Sequence, residues 1–329
     1  MFTKDRITAI KSALISIGAL LYLISPSTQA QSWPDKPIKL IIPFAPGGTT
    51  DILGRIFAQQ MTTALGQNVI VENKGGAGGN IGAEVVANAP PNGYTLLLVS
   101  GSMMTVNPYL YKKLPLNYAT DLTYITAVAG GPMLVSVSPN LPVNNLKELI
   151  ALAKTKELTF GSAGIGSQVH MAGENFTYSA GIAATHVPYK GEAPALNDLV
   201  SGQIDFMVGN LPAAAGFAKA GKIKALAITS NKRVAQLPDV PTVAEAAIPG
   251  FVNVGWFALA APAGTPKSIL DKIYTATQKV LESEAMRKSL EINGLTAIPN
   301  TSKDQLDNQI KTESANWEKV IKARNIVAQ

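Results

Sequence analysis

Short apolar runs alternate along this chain with segments whose apolar residues recur at helical spacing. Residues 38–42 are predicted to form a strand that is buried on most of its surface, and 51–65 a helix. Strands at 69–71 and 95–99 follow, with a short helix at 81–89 between them. Strands and helices joined in this order by short loops are typical of parallel βαβ units, so the alternation predicts an α/β fold.

The same alternation restarts in the second half of the chain. The predicted strands there are 133–137, 159–161, 185–188, 204–208, 225–229 and 255–261, and the predicted helices are 146–156, 167–179, 193–201, 213–220, 267–283, 285–293 and 303–324. At roughly 100–200 residues per domain, 329 residues are enough for two domains. We expect two α/β lobes that face a shared cleft, because open parallel sheets bind ligands beyond the carboxyl ends of their strands.

We expect the chain to cross between the two lobes twice, near 126–129 and near 256–259. Lobe 1 then comprises residues 31–127 and 258–329, and lobe 2 comprises residues 128–257. Two crossings make the first lobe discontinuous.

The first 30 residues have the composition of a secretory signal peptide. Three basic residues precede an apolar run from 12 to 24, which is shorter than the roughly 20 residues that span a bilayer. The small residues Thr28 and Ala30 stand at the −3 and −1 positions of a cleavage site. We therefore predict a cleaved signal peptide at 1–30 and a periplasmic mature protein, with an uncleaved membrane anchor as the alternative.

Composition and charge exclude several classes of protein. The chain is 47% hydrophobic and 15% charged, which excludes a disordered chain. It has no cysteine, and two histidines, His170 and His186, are too few for a multi-histidine metal centre. Removing the leader takes away three positive charges and one negative, which lowers the formal net charge from +6 to +4. That charge is too small for a nucleic-acid-binding protein. Since the sequence offers no metal-ligand set, we also expect no metal and no cofactor.

A glycine-bearing loop, 43–51, lies between the first strand and its helix. Gly47 and Gly48 let a ligand approach the backbone closely, and the N–H groups of the first helical turn have no partner within the helix. Such a loop suits an anion at the positive end of the helix dipole. The alternative is an ordinary βα turn in which Asp51 only caps the helix.

Residues 161–170 repeat this arrangement in the second half. Ser167 is a predicted helix cap, and Ser162 is predicted to hold a carboxylate together with backbone N–H groups. His170 lies one turn into the helix, a position that suits either contact with the ligand or a packing role. The glycines of this loop do not match G-x-G-x-x-G, because Val169 stands at the last position.

Four other features are weaker candidates for the site. The glycine-rich stretch 75–82 misses the dinucleotide-binding spacing and is predicted to be a structural loop. Lys190 suits either an anion contact or a solvated position, and Asp205 is predicted to be structural. Gly209 and Asn210 end a strand, where a site residue would project. The sequence has no G-x-S-x-G nucleophile elbow and nominates no convincing base, so it favours binding over catalysis.

Several individually unusual motifs occur in order along the chain. They span Trp33 to Ile38, Pro43 to Asp51, Val71 to Gly82, Val187 to Gly191 and Leu237 to Thr242. Through these motifs the mature chain resembles the extracytoplasmic solute-binding receptors of tripartite tricarboxylate transporters, often called the Bug family.

The resemblance implies a periplasmic binding protein of type II, in which two α/β lobes close on a ligand like a Venus flytrap. It implies that the loops 44–51 and 162–167 hold one carboxylate of a small organic acid, which is then passed to membrane transporter subunits. The predicted ligand-binding residues are Phe44, Gly47, Gly48, Thr49, Asp51, Ser102, Ser162, Gly164, Ser167, His170, Gly209 and Asn210. We expect a monomer without a nucleic-acid partner.

The resemblance also suggests where this chain differs from its relatives. Many members carry Asp-Asn where this chain has Gly209-Asn210, and we expect the missing carboxylate to leave room for a larger or doubly anionic ligand. Gly209→Asp should then weaken ligand binding, as should Asp51→Ala and Ser162→Ala. Two other functions stay open: a ligand sensor that feeds a two-component kinase, and a periplasmic hydrolase or isomerase.

Overall fold

The computed structural model describes residues 33–328. The predicted signal peptide, 1–30, lies outside the described residues. Of the described residues, 33–35 belong to one compact unit and 36–328 to a second unit, which carries all the elements below. Within 33–328, no helix is both long enough and apolar enough to cross a bilayer.

Strands and helices alternate through the second unit much as the sequence predicts. The strands are β1 (Ile38–Ile42), β2 (Val69–Asn73), β3 (Thr95–Ser100), β4 (Leu122–Val137), β5 (Leu158–Ser162), β6 (Ala184–Pro188), β7 (Phe206–Asn210), β8 (Lys224–Ile228), β9 (Val254–Pro262) and β10 (Thr296–Ala297). The helices are α1 (Thr49–Leu65), α2 (Asn80–Ala87), α3 (Gly101–Thr105), α4 (Asn107–Leu110), α5 (Leu146–Ala153), α6 (Gln168–Ala180), α7 (Glu192–Ser201), α8 (Leu211–Lys219), α9 (Val243–Ala246), α10 (Lys267–Glu282), α11 (Glu284–Ile292) and α12 (Lys303–Arg324).

The strands form two half-sheets that share β4. The first half-sheet has the order β2-β1-β3-β9-β4-β10, in which β1 is parallel to β2 and β3. The second has the order β8-β4-β7-β5-β6, in which β5 is parallel to β6 and β7. β4 changes partners between Pro132, which pairs with Val254 of β9, and Met133, which pairs with Asn210 of β7.

β4 is longer than the strand predicted at 133–137, and it includes the predicted crossing near 126–129. It begins at Leu122 and continues through Gly130, Gly131 and Pro132, residues that look like a turn in the sequence. The glycines are there for close packing: a Cβ at Gly131 would lie 2.8 Å from Leu295 Cδ2. The sequence prediction also lacked the short helices α3, α4 and α9. The predicted α/β fold class is confirmed.

Local signals explain where the helices around the cleft begin and end. α1 ends at Gly66, whose φ of 67° is the left-handed conformation that glycine adopts readily. At the start of α6, the Ser167 hydroxyl accepts a hydrogen bond from the His170 N–H at 3.2 Å, so the predicted cap is present. The central strands are buried on both faces: Leu134 and Met207 belong to one apolar core, and their neighbours Met133, Val135, Phe206 and Val208 to another. In the second of these cores Phe206 packs against Phe160 and Phe176.

Candidate ligand-binding cavity

A small cavity lies at the carboxyl ends of the parallel strands of both half-sheets. It has room for about one water molecule, whose centre is free to move within about 10 Å³. It is lined by Phe44, Gly48, Thr49, Thr50, Ser100, Ala163, Ser167, Gln168, Val169, Glu192, Asn210 and Phe257. Its wall includes the loops after β1 and β5, Glu192 at the start of α7 and Asn210 at the end of β7, as expected for a ligand site of an α/β protein.

The amino terminus of α1 forms one side of the cavity. Gly48 is its N-cap and supplies no side-chain cap, so the first-turn N–H groups are available to other acceptors. The Thr49 N–H donates to Glu192 Oε2 at 3.1 Å, and the Thr49 hydroxyl accepts from the Ala213 N–H at 3.2 Å. This helix end is therefore tied to elements of the second half-sheet.

The amino terminus of α6 forms the opposite side. Ser167 is buried and caps the helix, while Gln168 and Val169 belong to the first turn, whose N–H groups lack acceptors within the helix. The Gln168 side chain donates to Asn210 Oδ1 at 2.8 Å. Two helix amino termini thus meet at one cavity, and both favour a negative charge there.

An acidic side chain of the protein's own already lies at this cavity. Glu192, 3% exposed, accepts hydrogen bonds from the Thr49 N–H, from the Asn210 N–H at 2.5 Å and from Asn210 Nδ2 at 3.3 Å. Burial raises the pKa of Glu192, and these hydrogen bonds only partly oppose that effect. Among the described residues that line the cavity, none is Lys, Arg or His.

Asp51 shapes the first loop without lining the cavity. Its carboxylate accepts from the Gly47 N–H, from Asn73 Nδ2 and from Arg55 Nε, each at 3.0 Å. Burial alone would raise the pKa of Asp51, but the hydrogen bonds from Arg55, Gly47 and Asn73 outweigh burial and lower it. Asp51 therefore holds the loop in place as an ionised first-turn residue, and Gly48 is the N-cap.

Ser162 and His170 lie behind the second loop. Ser162 is fully buried, 2.6 Å from His186 Nε2, and accepts from the Gly164 N–H at 3.1 Å. The His170 ring stacks on His186 at 4.0 Å, and its Nδ1 accepts from the Gly166 N–H. Burial lowers the pKa of His170 to about 3, with a smaller effect from His186, and that of His186 to about 4. These contacts favour a packing role over direct contact with a ligand in the cavity.

Three predicted site residues face neighbouring spaces or shape loops. Ser102 borders a second space of about 40 Å³ beside Trp256. Gly164 has a φ of +118°, and Gly47 a φ of +84°, so both serve the loop conformation.

The space beside Gly209 is taken by a side chain of the protein, because a Cβ at Gly209 would lie 3.2 Å from Glu192 Oε1. The expectation that Gly209 goes with a larger or doubly anionic ligand stays a prediction.

Among the predicted residues, the structure brings five together on the cavity wall: Phe44, Gly48, Thr49, Ser167 and Asn210. The sequence prediction missed Glu192, Gln168 and Phe257. A signal for Glu192 was present, because Gly191 and Glu192 join β6 to α7 just as the two recognised loops join a strand to a helix. An acid in the first turn of a helix is common, and the sequence alone therefore offered a simpler explanation.

The sequence from residue 53 to 326 matches the family model described as "Tripartite tricarboxylate transporter family receptor". Protein BugT of Bordetella pertussis is 36% identical over 313 residues, which cover 94% of this chain and 96% of BugT. The structure of the periplasmic binding protein BugD has a TM-score of 0.86 at 35% identity and covers 90% of this chain and 100% of that chain. The structure of R. palustris Rpa4515 with adipate has a TM-score of 0.84 at 36% identity and covers 88% of this chain and 97% of that chain.

The fold is that of a periplasmic solute-binding protein. More narrowly, the chain belongs to the receptor family of the tripartite tricarboxylate transporters, and the resemblance read from its motifs is confirmed.

Proposed function

We propose that this protein captures a small organic carboxylate in the cavity between α1 and α6 and delivers it to a tripartite membrane transporter. The observation that carries the proposal is the meeting of two helix amino termini at one enclosed space. Both helix ends offer N–H donors, and charge-assisted hydrogen bonds offset the cost of burying a carboxylate. Family membership and the adipate held by Rpa4515 support the same ligand class.

The proposed lobes follow the two half-sheets. We infer that they join where β4 changes partners between Pro132 and Met133, and again between Asn253, whose N–H donates to the Thr229 carbonyl, and Val254, which pairs with Pro132. A ligand that contacts α1 and α6 together stabilises the closed arrangement, provided that it binds that state more tightly than an open one.

The predicted export signal belongs to the same proposal. Family members are periplasmic, and a leader cleaved after Ala30 would release a mature chain into that compartment. Amino-terminal sequencing of the protein recovered from a periplasmic extract tests the cleavage site. Light scattering on the purified mature chain tests the proposed monomer.

A thermal-shift screen over small organic acids, adipate included, tests the binding function, because a ligand of the folded state raises the melting temperature. Hits are then titrated calorimetrically against Ala163→Leu, which places a larger side chain on the cavity wall and should abolish binding. Ala151→Leu makes the same change on the exposed side of α5 and should bind normally. If no acid shifts the melting temperature, or if Ala163→Leu binds as the unchanged protein does, the proposed site is refuted.

A further inference from the structure

Glu192 is the ionisable side chain on the cavity wall, and among the described residues that line the cavity no other can carry a charge. It is almost fully buried, and its partners are two backbone N–H groups, the Asn210 amide and the Thr49 hydroxyl, all of them neutral. A buried carboxylate without a cationic partner is costly, because it gives up its hydration and gains no opposite charge in return.

The fold makes space for this side chain from both half-sheets. A Cβ at Gly48 would lie 3.2 Å from Glu192 Cβ, and one at Gly209 would lie 3.2 Å from Glu192 Oε1. Neither glycine has a positive φ, so their backbone conformations are open to other residues. The missing side chains at these two positions therefore serve to admit Glu192 between the loop after β1 and the end of β7.

We propose that Glu192 determines the specificity of this receptor, and that the cavity takes amino-carboxylates, organic acids that carry an ammonium group beside a carboxylate. The inference rests on the proposed function and names its substrate class. The ligand carboxylate is held by the first turn of α6 and the free first-turn N–H groups of α1. The ligand ammonium lies against the Glu192 carboxylate and supplies the positive charge that the wall lacks.

The charge arrangement selects this class by attraction and by repulsion. An ammonium forms charge-assisted hydrogen bonds to Glu192, which are stronger than those from the neutral donors it now has. An acid that carries only carboxylates places like charges together in a site without a basic side chain on its wall. Specificity of this kind depends on the penalty against the wrong ligand as much as on the contacts with the right one.

Three pairs of probes with matched carbon chains test the proposal: propionate and β-alanine, succinate and L-aspartate, and glutarate and L-glutamate. Each is titrated calorimetrically into the purified mature protein and into Glu192→Gln, which keeps the shape of the side chain and removes its charge. We expect the unchanged protein to bind the amino member of at least one pair about tenfold or more tightly than its partner. In Glu192→Gln the ratio of the affinities for the amino member and its partner should fall to about one or invert.

Glu174→Gln is the matched control, since Glu174 lies outside the cavity, next to Arg324 and His170, and this variant should keep the native ratio. Circular dichroism melts check that each variant is folded. Glu192→Asp provides a second variant, which keeps the charge and should keep the preference for the amino member even where affinity falls.

The outcomes separate this inference from the proposed function. If the unchanged protein binds succinate, glutarate or propionate as tightly as the amino partners, the carboxylate receptor stands and the role of Glu192 is refuted. A ratio that survives in Glu192→Gln refutes it as well. If Glu192→Gln binds every carboxylate more tightly while the unchanged protein shows no preference, the proposal is also refuted. Glu192 then only fills the binding position of the ligand in the free protein. If no probe binds either protein, this inference fails, and failure of the wider acid screen then refutes the proposed function too.

Discussion

Gly209→Asp would place a second carboxylate against Glu192. The backbone of Gly209 accepts a side chain, and its Cβ would point at Glu192 Oε1 from 3.2 Å. Both the new carboxylate and Glu192 would be buried, and no basic residue lines the cavity among the described residues. The substitution therefore creates a like-charge pair without compensation.

The size of the effect follows from Coulomb's law. Two carboxylates about 4 Å apart repel each other by about 4 kcal/mol at an effective dielectric constant of about 20. Each raises the pKa of the other in the folded state, so the penalty is fully present only above the folded pKa values. Below the pKa of an unfolded carboxyl group, about 4, both are protonated in either state and the penalty disappears.

Gly209→Asn is the matched control because it has the same size and no charge. Urea unfolding at pH 7.5 should show Gly209→Asp to be less stable than Gly209→Asn by up to about 4 kcal/mol. The difference should shrink steadily as the pH falls towards about 4. Adding Glu192→Gln to Gly209→Asp should remove most of this stability difference at neutral pH, since one of the two charges is gone.

Equal stability of Gly209→Asp and Gly209→Asn at pH 7.5 would contradict this reasoning. So would a difference that persists unchanged at low pH, where both carboxyl groups are protonated. Either result would mean that the cost of Gly209→Asp does not come from repulsion between two ionised carboxylates.

Three further predictions concern the loops around the cavity. Ser167→Ala should lower the free energy of unfolding by about 1 kcal/mol through loss of the α6 cap, while Ser201→Ala, on an exposed hydroxyl, should have little effect in the same urea titration. Because burial lowers the pKa of His170 and His186 below the unfolded value of 6.5, stability should be lost as the pH falls from about 6.5 towards 4. Each histidine contributes up to about 1.4 kcal/mol per pH unit, measured by urea unfolding across that range, and a flat profile would contradict the stated pKa values. Asp51→Ala should lower stability by about 1–3 kcal/mol and weaken ligand binding indirectly by loosening the first loop, as unfolding and calorimetry together would show.

Local sequence signals predicted most of the elements. α12 occupies the predicted range 303–324 to the residue, because Ser302 and Gln305 form a capping box at its start. β4 was shortened in the prediction because Gly130 and Gly131, followed by Pro132, carry turn signals. Only the three-dimensional structure, in which the Leu295 side chain packs against Gly131, shows why glycine is needed at position 131.

The candidate site was predictable only in part. The loops at Gly48 and Ser167 carry their own signals, namely glycines or a cap between a strand and a helix. The role of Glu192 depends on Gly48 and Gly209, which are far from it in sequence and far from each other. No local pattern reports such a packing relation, so the central charge of the cavity becomes visible only in three dimensions.

The shared strand β4 also limits how the two half-sheets can move. Sliding one half along the other, or pulling the two apart, would break the ladder that β4 forms with β9 and β7. If the proposed lobes meet at the Pro132–Met133 and Asn253–Val254 junctions, a small rotation about the line through them would keep the pairing of β4 with β9 and β7. On that proposal the cavity opens by rotation about this axis, and substitutions in the strand-to-helix loops would change the ligand without changing the axis.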